Sequence, residues 1–304
     1  MRTHVQPYLQ LVRLPNLFTA MADVLLGFLF THERLEPWPH FALLLAASSL
    51  LYMSGMVLND FFDQQQDARE RPARPIPSDR VLPGTAARLG FAMLILGAVL
   101  GWLATFATGD LRPGLVATLL AAAVLAYDAV IKRTPAGPVA MGACRMLNVL
   151  LGMSLSVAPW EATHWVVAGG IGTYIAGVTT FARSEARTSG RLQLALGVVV
   201  IVSGIGLLAS LPTWATGAEW PEISIPPRWF VFWGLLAVLI AWRCLRAVFD
   251  PSPPRVQAAV RSSIYSLIVI DAGACLAVQD VSWGVAILLL LVPTMTLGRW
   301  IYST

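Results

Sequence analysis

Charged residues are scarce in this chain of 304 residues, at 12%, whereas apolar residues make up 57%. The mean hydropathy is +0.68, far from the value of a soluble globular domain. This composition excludes a water-soluble enzyme and indicates several membrane-spanning helices. The net charge of +4 follows from where basic residues flank such helices, so we expect no nucleic acid as a partner.

Cysteine is also rare, with three residues in the chain. Cys144, Cys244 and Cys275 have no metal-ligand spacing, and each lies inside an apolar segment. They are typical of small buried residues, which excludes a disulfide framework or a cysteine metal centre. No low-complexity linker divides the sequence, so we expect one domain, 1–304.

Long apolar runs dominate what remains. Segments of about 20 residues can cross the ~30 Å of hydrocarbon in a bilayer as helices. Such segments lie at 11–31, 40–61, 85–107, 112–131, 138–158, 164–184, 191–211, 228–249, 257–278 and 282–301. Because several are separated by only a few residues, we expect nine or ten transmembrane helices.

The basic residues set the orientation of these helices. With the 62–88 loop in the cytoplasm, only Arg34, Arg112 and Arg228 fall on the opposite side. This is a strong positive-inside bias. It predicts an integral, multi-pass protein of a bacterial-type inner or plasma membrane, with the 62–88 loop cytoplasmic.

A faint internal repeat indicates how the bundle is organised. The Tyr-x-x-Gly pattern of residues 52–55 recurs at 174–177, and the same offset aligns several of the apolar segments. We therefore predict parallel halves, 1–135 and 136–255, with C-terminal helices appended, which is a known building style of membrane proteins.

The densest polar feature is the stretch NDFFDQQQD, residues 59–67, where the second apolar segment ends. At about 100° per residue, its Asn59, Asp60, Asp63 and Asp67 fall within roughly a 100° arc of one helical face. Oxygen donors of this kind suit Mg²⁺, which binds a few carboxylates together with substrate phosphate oxygens. The stretch therefore predicts a site for Mg²⁺ and a phosphorylated ligand.

Basic residues on other segments fit the same site. Lys132, the single lysine of the chain, and Arg133 follow the fourth apolar segment. Beside an acidic metal cluster they suit diphosphate, lysine as a point charge and arginine as a fork. Arg145 lies too deep in the fifth segment to carry charge without a polar cavity or a partner, so we expect it to line a cavity.

The end of the sixth segment is ambiguous. Glu185 there can complete a metal shell, and Arg183 or Arg187 can hold phosphate, but the same residues also suit an ordinary charged anchor at the membrane interface. For the intramembrane Asp23 and Asp271 we expect a structural, hydrogen-bonding role.

The pattern N-D-x-x-D-x-x-x-D at 59–67, followed by R-P-x-R-P-I-P-S at 71–78, resembles the first signature of the UbiA superfamily of intramembrane prenyltransferases. Arg13-x-Pro15-Asn16 and the Tyr127 to Lys132 spacing support it. The resemblance implies an all-α, polytopic bundle of nine or ten helices around a central cavity, with Mg²⁺ at a cytoplasmic cap. It implies an enzyme that moves a prenyl group from an isoprenyl diphosphate to a lipophilic acceptor within the membrane lipid.

The resemblance also assigns roles to residues. The catalytic group would be Asn59, Asp60, Asp63, Asp67 and Lys132. The metal ligands would be Asp60, Asp63, Asp67 and Glu185. The substrate-binding residues would be Arg71, Arg74, Asp128, Arg133, Arg145, Asn148, Arg183 and Glu185.

The chain departs from the family where a second aspartate motif usually follows segment six, because only Glu185 remains there. Either Asp128 and Glu185 suffice, or basic residues replace one cation, or the chain binds a prenyl diphosphate without turning it over. The alternative function is therefore a non-catalytic isoprenoid or lipid carrier. A CDP-alcohol phosphatidyltransferase is disfavoured because its D-G-x-x-A-R signature is missing, and an ion-coupled transporter because the acids cluster at one end.

Overall fold

The protein is a bundle of helices. A computed structural model describes residues 2–183, 188–214 and 227–301, and over these ranges it contains no strand. The helices are α1 Arg2–Leu11, α2 Leu14–Leu29, α3 Trp38–Phe62, α4 Gln64–Glu70, α5 Pro83–Thr108, α6 Arg112–Ala129, α7 Gly137–Met153, α8 Ala162–Ala182, α9 Arg191–Ala209, α10 Pro227–Phe249, α11 Pro253–Cys275, α12 Val281–Leu288 and α13 Leu291–Trp300. The predicted all-α fold is confirmed.

Most of these helices are long enough to cross a membrane. Within the described ranges, 8 spans have sufficient length and hydropathy, with α12 and α13 counted as one span. The count is 9 if the pair Val5–Leu11 and Leu14–Leu29, which is bent by 45°, forms a further span. Helix α7 is apolar but has 17 residues. The chain is an integral multi-pass membrane protein, and the predicted nine or ten helices are consistent with this count.

Local sequence signals start and stop several spans. Proline lies in the first turn of α5, α6, α7 and α11, where its missing N–H has no helical acceptor and its fixed φ suits the helix. Helix α5 ends at Gly109, which has φ of 76°, a left-handed conformation that costs glycine little. These turns keep the connections between neighbouring spans short.

Six helices form a closed ring, in the order α2, α3, α6, α7, α8 and α11, each packed against the next. The remaining long helices pack outside it, α5 on α3 and α6, α9 on α8, and α10 on α9 and α11. Helix α13 packs against α2. The ring therefore surrounds a central space.

Helices α2 and α7 also cross each other inside this ring, and glycines allow the crossing. A Cβ at Gly27 would overlap the Val149 carbonyl oxygen of α7, and one at Gly152 would overlap the Val24 carbonyl oxygen of α2. Small residues at such crossings let two helix backbones approach closely. The crossing brings the polar side chains of α2 and α7 together.

A cavity of about 220 Å³, here called the chamber, lies inside the ring. Its walls are mostly apolar and come from all six ring helices. Polar side chains in its lining include Asn16 of α2, Tyr52 of α3, Asp128 of α6 and Arg145 of α7.

Candidate active site

A second cavity, of about 660 Å³ and here called the cap cavity, lies where α3, α6 and α8 end. Acidic and basic side chains of the 59–74 stretch line it together with Lys132, Arg133 and Arg183. It shares six lining residues with the chamber: Arg13, Tyr127, Thr179, Ala182, Val260 and Ile264. The polar cap cavity therefore lies directly against the apolar chamber.

The signature stretch 59–67 spans a break in the helix at Asp63, which has φ of −96° and ψ of 4°. Backbone hydrogen bonds continue across the break, from the Asp63 N–H to the Asn59 oxygen at 3.0 Å and from the Asp67 N–H to the Asp63 oxygen at 2.8 Å. The side chains of the predicted arc divide between two sets of partners: Asn59 and Asp63 meet one set, and Asp60 and Asp67 meet the other.

Asn59 and Asp63 face Lys132. The Lys132 Nζ lies 2.8 Å from Asp63 Oδ2 and donates to Asn59 Oδ1 at 3.0 Å. Arg133 Nη2 lies 3.5 Å from Asp63 Oδ1 and donates to the Phe62 oxygen at 3.0 Å. The short 3-10 segment Ile131–Arg133 that follows α6 thus attaches both cations to the end of α3.

Asp60 and Asp67 face Arg74 instead. Arg74 Nη1 lies 3.1 Å from Asp60 Oδ1 and 2.7 Å from Asp67 Oδ2, and the arginine side chain is only 4% exposed. Arg13 Nη2 makes a second ion pair with Asp60 Oδ1 at 3.1 Å. Among the described residues, every carboxylate of the signature is therefore paired with a lysine or an arginine.

Burial shifts the pKa values of Asp67 and Arg74. It raises the pKa of Asp67 above its ordinary value, and the ion pair with Arg74 opposes that shift. Burial also lowers the pKa of the Arg74 guanidinium, and the nearby charge of Arg13 lowers it further. The ion pair with Arg74 thus favours the ionised form of Asp67 against the effect of burial.

Arg13 is the site residue that sequence reasoning did not select. It joins α1 to α2 with φ of 47° and ψ of 50°, a left-handed conformation that is uncommon for a residue with a side chain. From there it lines both cavities. The signal that could have identified it is the Arg13-x-Pro15-Asn16 pattern, which was noted only as support for the resemblance.

Arg145 and Asn148 line the chamber, and both bind Asp23 of α2. Arg145 Nη1 donates to Asp23 Oδ2 at 2.7 Å and Nη2 to Thr19 Oγ1 at 2.7 Å. Asn148 Nδ2 donates to the same Asp23 oxygen at 3.0 Å. The guanidinium also lies 5.3 Å from the Tyr52 ring centroid. Arg145 therefore has both the cavity and the partner that its depth requires.

The structure places the other predicted residues as follows. Asp128 is buried in the chamber lining, Arg71 lines the cap cavity, and Arg183 lines the cap cavity while its Nη2 donates to the Thr134 oxygen at 2.7 Å. Glu185 and Arg187 lie outside the described residues.

The donor set suits Mg²⁺ in its chemistry. Asn59, Asp60, Asp63 and Asp67 offer hard oxygen ligands at one end of the ring, three of them in the cap cavity lining. No three His, Cys, Asp or Glu side chains of the described ranges lie close enough to form a complete metal cage. Since Mg²⁺ takes one or two carboxylates and completes its shell with phosphate oxygens and water, these residues fit a magnesium ion that arrives with a phosphorylated ligand.

Comparison with known sequences identifies the family. The sequence pattern of the UbiA prenyltransferase family matches residues 20–267. Digeranylgeranylglyceryl phosphate synthase of Ignicoccus hospitalis is 33% identical over 157 residues, 51% of this chain and 49% of that protein. The same enzyme of Methanothermobacter thermautotrophicus is 36% identical over 114 residues, 37% of each chain. The chain thus spans about half or less of the length of these relatives.

Solved structures share the fold. One from work on digeranylgeranylglyceryl phosphate synthase in membranes has a TM-score of 0.61 at 19% identity and covers 95% of this chain and 99% of its own. A UbiA homologue from Archaeoglobus fulgidus bound to DMAPP and Mg²⁺ has a TM-score of 0.61 at 14% identity, over 92% and 98%. With the family match extending over most of the sequence, and with this fold and site, the chain belongs to the UbiA prenyltransferase family.

Proposed function

We propose that this protein is a Mg²⁺-assisted transferase that moves a prenyl group from an isoprenyl diphosphate to a lipophilic acceptor inside the membrane. The observation that carries the proposal is the shared lining of the two cavities. A polar, charged cap directly against an apolar chamber suits a ligand with a charged head and an apolar tail.

The head of the donor lies in the cap cavity. Asp60, Asp63 and Asp67 would hold Mg²⁺, which would supply positive charge to neutralise the leaving diphosphate. Glu185, the further ligand predicted from the sequence, lies outside the described residues. Lys132, Arg133, Arg71, Arg74 and Arg183 hold the phosphate oxygens. The Lys132 side chain contacts both Asn59 and Asp63. It can therefore bind a phosphate oxygen while it keeps a contact with one of these two residues.

Bond cleavage follows from charge stabilisation. The carbon–oxygen bond of an allylic diphosphate breaks when the developing negative charge on the diphosphate is stabilised by fixed cations. The resulting allylic cation lies in the chamber, whose apolar walls exclude water that would capture it. The acceptor then attacks the cation, and no nucleophile from the protein is needed.

The acceptor is a membrane lipid with a reactive hydroxyl. The relatives named digeranylgeranylglyceryl phosphate synthase support an acceptor that carries a glycerol phosphate. The R-P-x-R-P-I-P-S run at 71–78 also resembles the tetrapyrrole and glycerophosphate-lipid branches of the family more than the haem-farnesylating branch. The positive-inside bias supports a cytoplasmic cap in a bacterial-type inner or plasma membrane.

Radiolabelled geranylgeranyl or farnesyl diphosphate, supplied with Mg²⁺ and a membrane lipid extract to the purified protein, tests this function. We expect a labelled lipid product, and Asp63→Ala should reduce its formation on the order of 100-fold because a metal ligand and the partner of Lys132 are lost. Asp110→Ala is the matched control, since Asp110 pairs with Arg112 at the other end of the bundle.

The competing function is that of a non-catalytic isoprenoid carrier. It is favoured by the ion pairing of every described signature carboxylate and by the lack of aspartate after α8. Tight, stoichiometric binding of the labelled diphosphate with no product from any lipid fraction would establish the carrier and overturn the enzyme.

A further inference from the structure

One carboxyl group differs from the ion-paired aspartates of the cap. Asp128, in the last turn of α6, is 2% exposed, and its Oδ2 has no hydrogen-bond partner among the described residues. Asp60, Asp63 and Asp67 are each held by lysine or arginine. Of the described residues that line the chamber, Asp128 is the one with a carboxyl group.

Asp23 and Asp271 also have buried carboxyl oxygens without a partner, but neither residue lines the chamber. A buried oxygen without a donor in a cavity wall points to a partner that comes from outside the protein. The space for such a partner is kept open by Gly55 of α3. A Cβ on Gly55 would lie 3.8 Å from Asp128 Oδ2 and 3.1 Å from Val124 Cγ1. Because glycine has no side chain, a group of a ligand in the chamber can reach the carboxylate.

Prenyl transfer to a hydroxyl releases one proton, and it must go to a base. The carbon–oxygen bond of the donor breaks with both electrons leaving on the diphosphate. A lone pair of the acceptor oxygen forms the new carbon–oxygen bond, and the hydroxyl proton is lost. On the basis of the proposed function, we infer that Asp128 is the general base, which accepts this proton from the acceptor hydroxyl on Oδ2.

The surroundings of Asp128 single it out for this role. The titratable and charged groups that face it are Arg13, Asp60, Asp63, Tyr127, Lys132 and Cys144. The two other carboxylates are engaged by cations, and Lys132 by Asp63 and Asn59. Asp128 thus combines a carboxyl group, an oxygen without a hydrogen-bond partner among the described residues, and contact with the chamber.

The substitution Asp128→Asn tests the inference because it keeps the shape of the side chain and removes the base. We expect kcat to fall at least about 100-fold, the range of general-base catalysis, while Mg²⁺-dependent binding of geranylgeranyl diphosphate stays near the wild-type value. In the wild type, kcat/KM should decline on the acid side of its pH profile, and in Asp128→Asn this decline should be absent. Asp110→Asn is the matched carboxyl control.

Two further readouts keep the test decisive. Asp128→Glu retains a carboxyl, so it should recover part of the kcat and the acid-side decline even if Asp128→Asn folds poorly. If the kcat of Asp128→Asn stays within a few-fold of the wild-type value, Asp128 is not the general base. If Asp128→Asn loses as much donor binding as Asp63→Ala, Asp128 belongs to the diphosphate site and the inference is again overturned. If the wild-type protein itself forms no product, the proposed function is overturned. This outcome differs from a loss of product in the Asp128 variants alone.

Discussion

Arg145 is a buried charge inside the bundle, and its partners explain why it is stable there. Asp23, at 0% exposure, accepts hydrogen bonds from both Arg145 and Asn148. Asp271 of α11 is also fully buried, and neither of its carboxyl oxygens has a hydrogen-bond partner among the described residues. Asp23 is therefore the carboxylate that pairs with Arg145 and joins α2 to α7, which supports the structural role expected for Asp23.

Removal of Asp23 should therefore destabilise the protein more than a change at Asp271. Asp23→Ala leaves the Arg145 guanidinium buried without its counter-charge, and we expect a loss of about 3–5 kcal/mol in the free energy of unfolding. Asp271→Asn removes a carboxyl group that has no hydrogen-bond partner among the described residues, so it should cost about 1 kcal/mol or less. Denaturant unfolding in detergent, followed by circular dichroism, measures both. Equal stability of Asp23→Ala and wild type would contradict the structural role.

At the scale of helices, the α2–α7 crossing is what brings Asp23 and Arg145 together. Gly152→Leu should separate the two helices, because even a Cβ at this position meets the α2 backbone, and overpacking of this kind typically costs about 1–3 kcal/mol. Gly206→Leu on α9 is the matched control, since a Cβ there has no neighbour within 4 Å. Thermal unfolding of the two variants measures the difference. If both melt like the wild type, the crossing does not depend on small residues.

The helices themselves were predictable because their signals are local. Apolar length fixes the spans, and proline and glycine mark where several of them begin or end. The division of the signature was not predictable from helical periodicity. Asp60 and Asp67 meet Arg74 from the loop after α4, while Asn59 and Asp63 meet Lys132 from the 3-10 segment after α6. Helical periodicity places side chains on a face, but tertiary packing chooses their partners.

At the scale of the whole molecule, the closed ring explains how one chain can hold both a charged head and an apolar tail. The predicted halves would divide this ring, with α2, α3 and α6 in 1–135 and α7 and α8 in 136–255, while α11 comes from the appended helices. The internal repeat stays a prediction, because the ring shows neighbours and not superposition. Near the ring centre, Arg145 was predictable from its depth in an apolar segment, whereas Asp128 and Asn148 were predicted only through the family signature.

The orientation of the whole bundle can be measured by labelling. Gln65 and Glu33 are exposed near opposite ends of α3, and the three native cysteines are buried. In intact cells, a membrane-impermeant maleimide should label Glu33→Cys directly and Gln65→Cys only after permeabilisation, because the positive-inside bias places the cap in the cytoplasm. The opposite pattern of labelling would invert the orientation.

The scarcity of lysine gives this protein an unusual experimental property. Lys132 carries the single side-chain amine in 304 residues, and its Nζ lies 2.8 Å from Asp63 in the cap. A reagent that acylates amines can therefore modify side chains at one place only, and that place is the proposed head-group site. Bound donor should shield it, so the rate of acylation becomes a direct reporter of occupancy without any engineered probe.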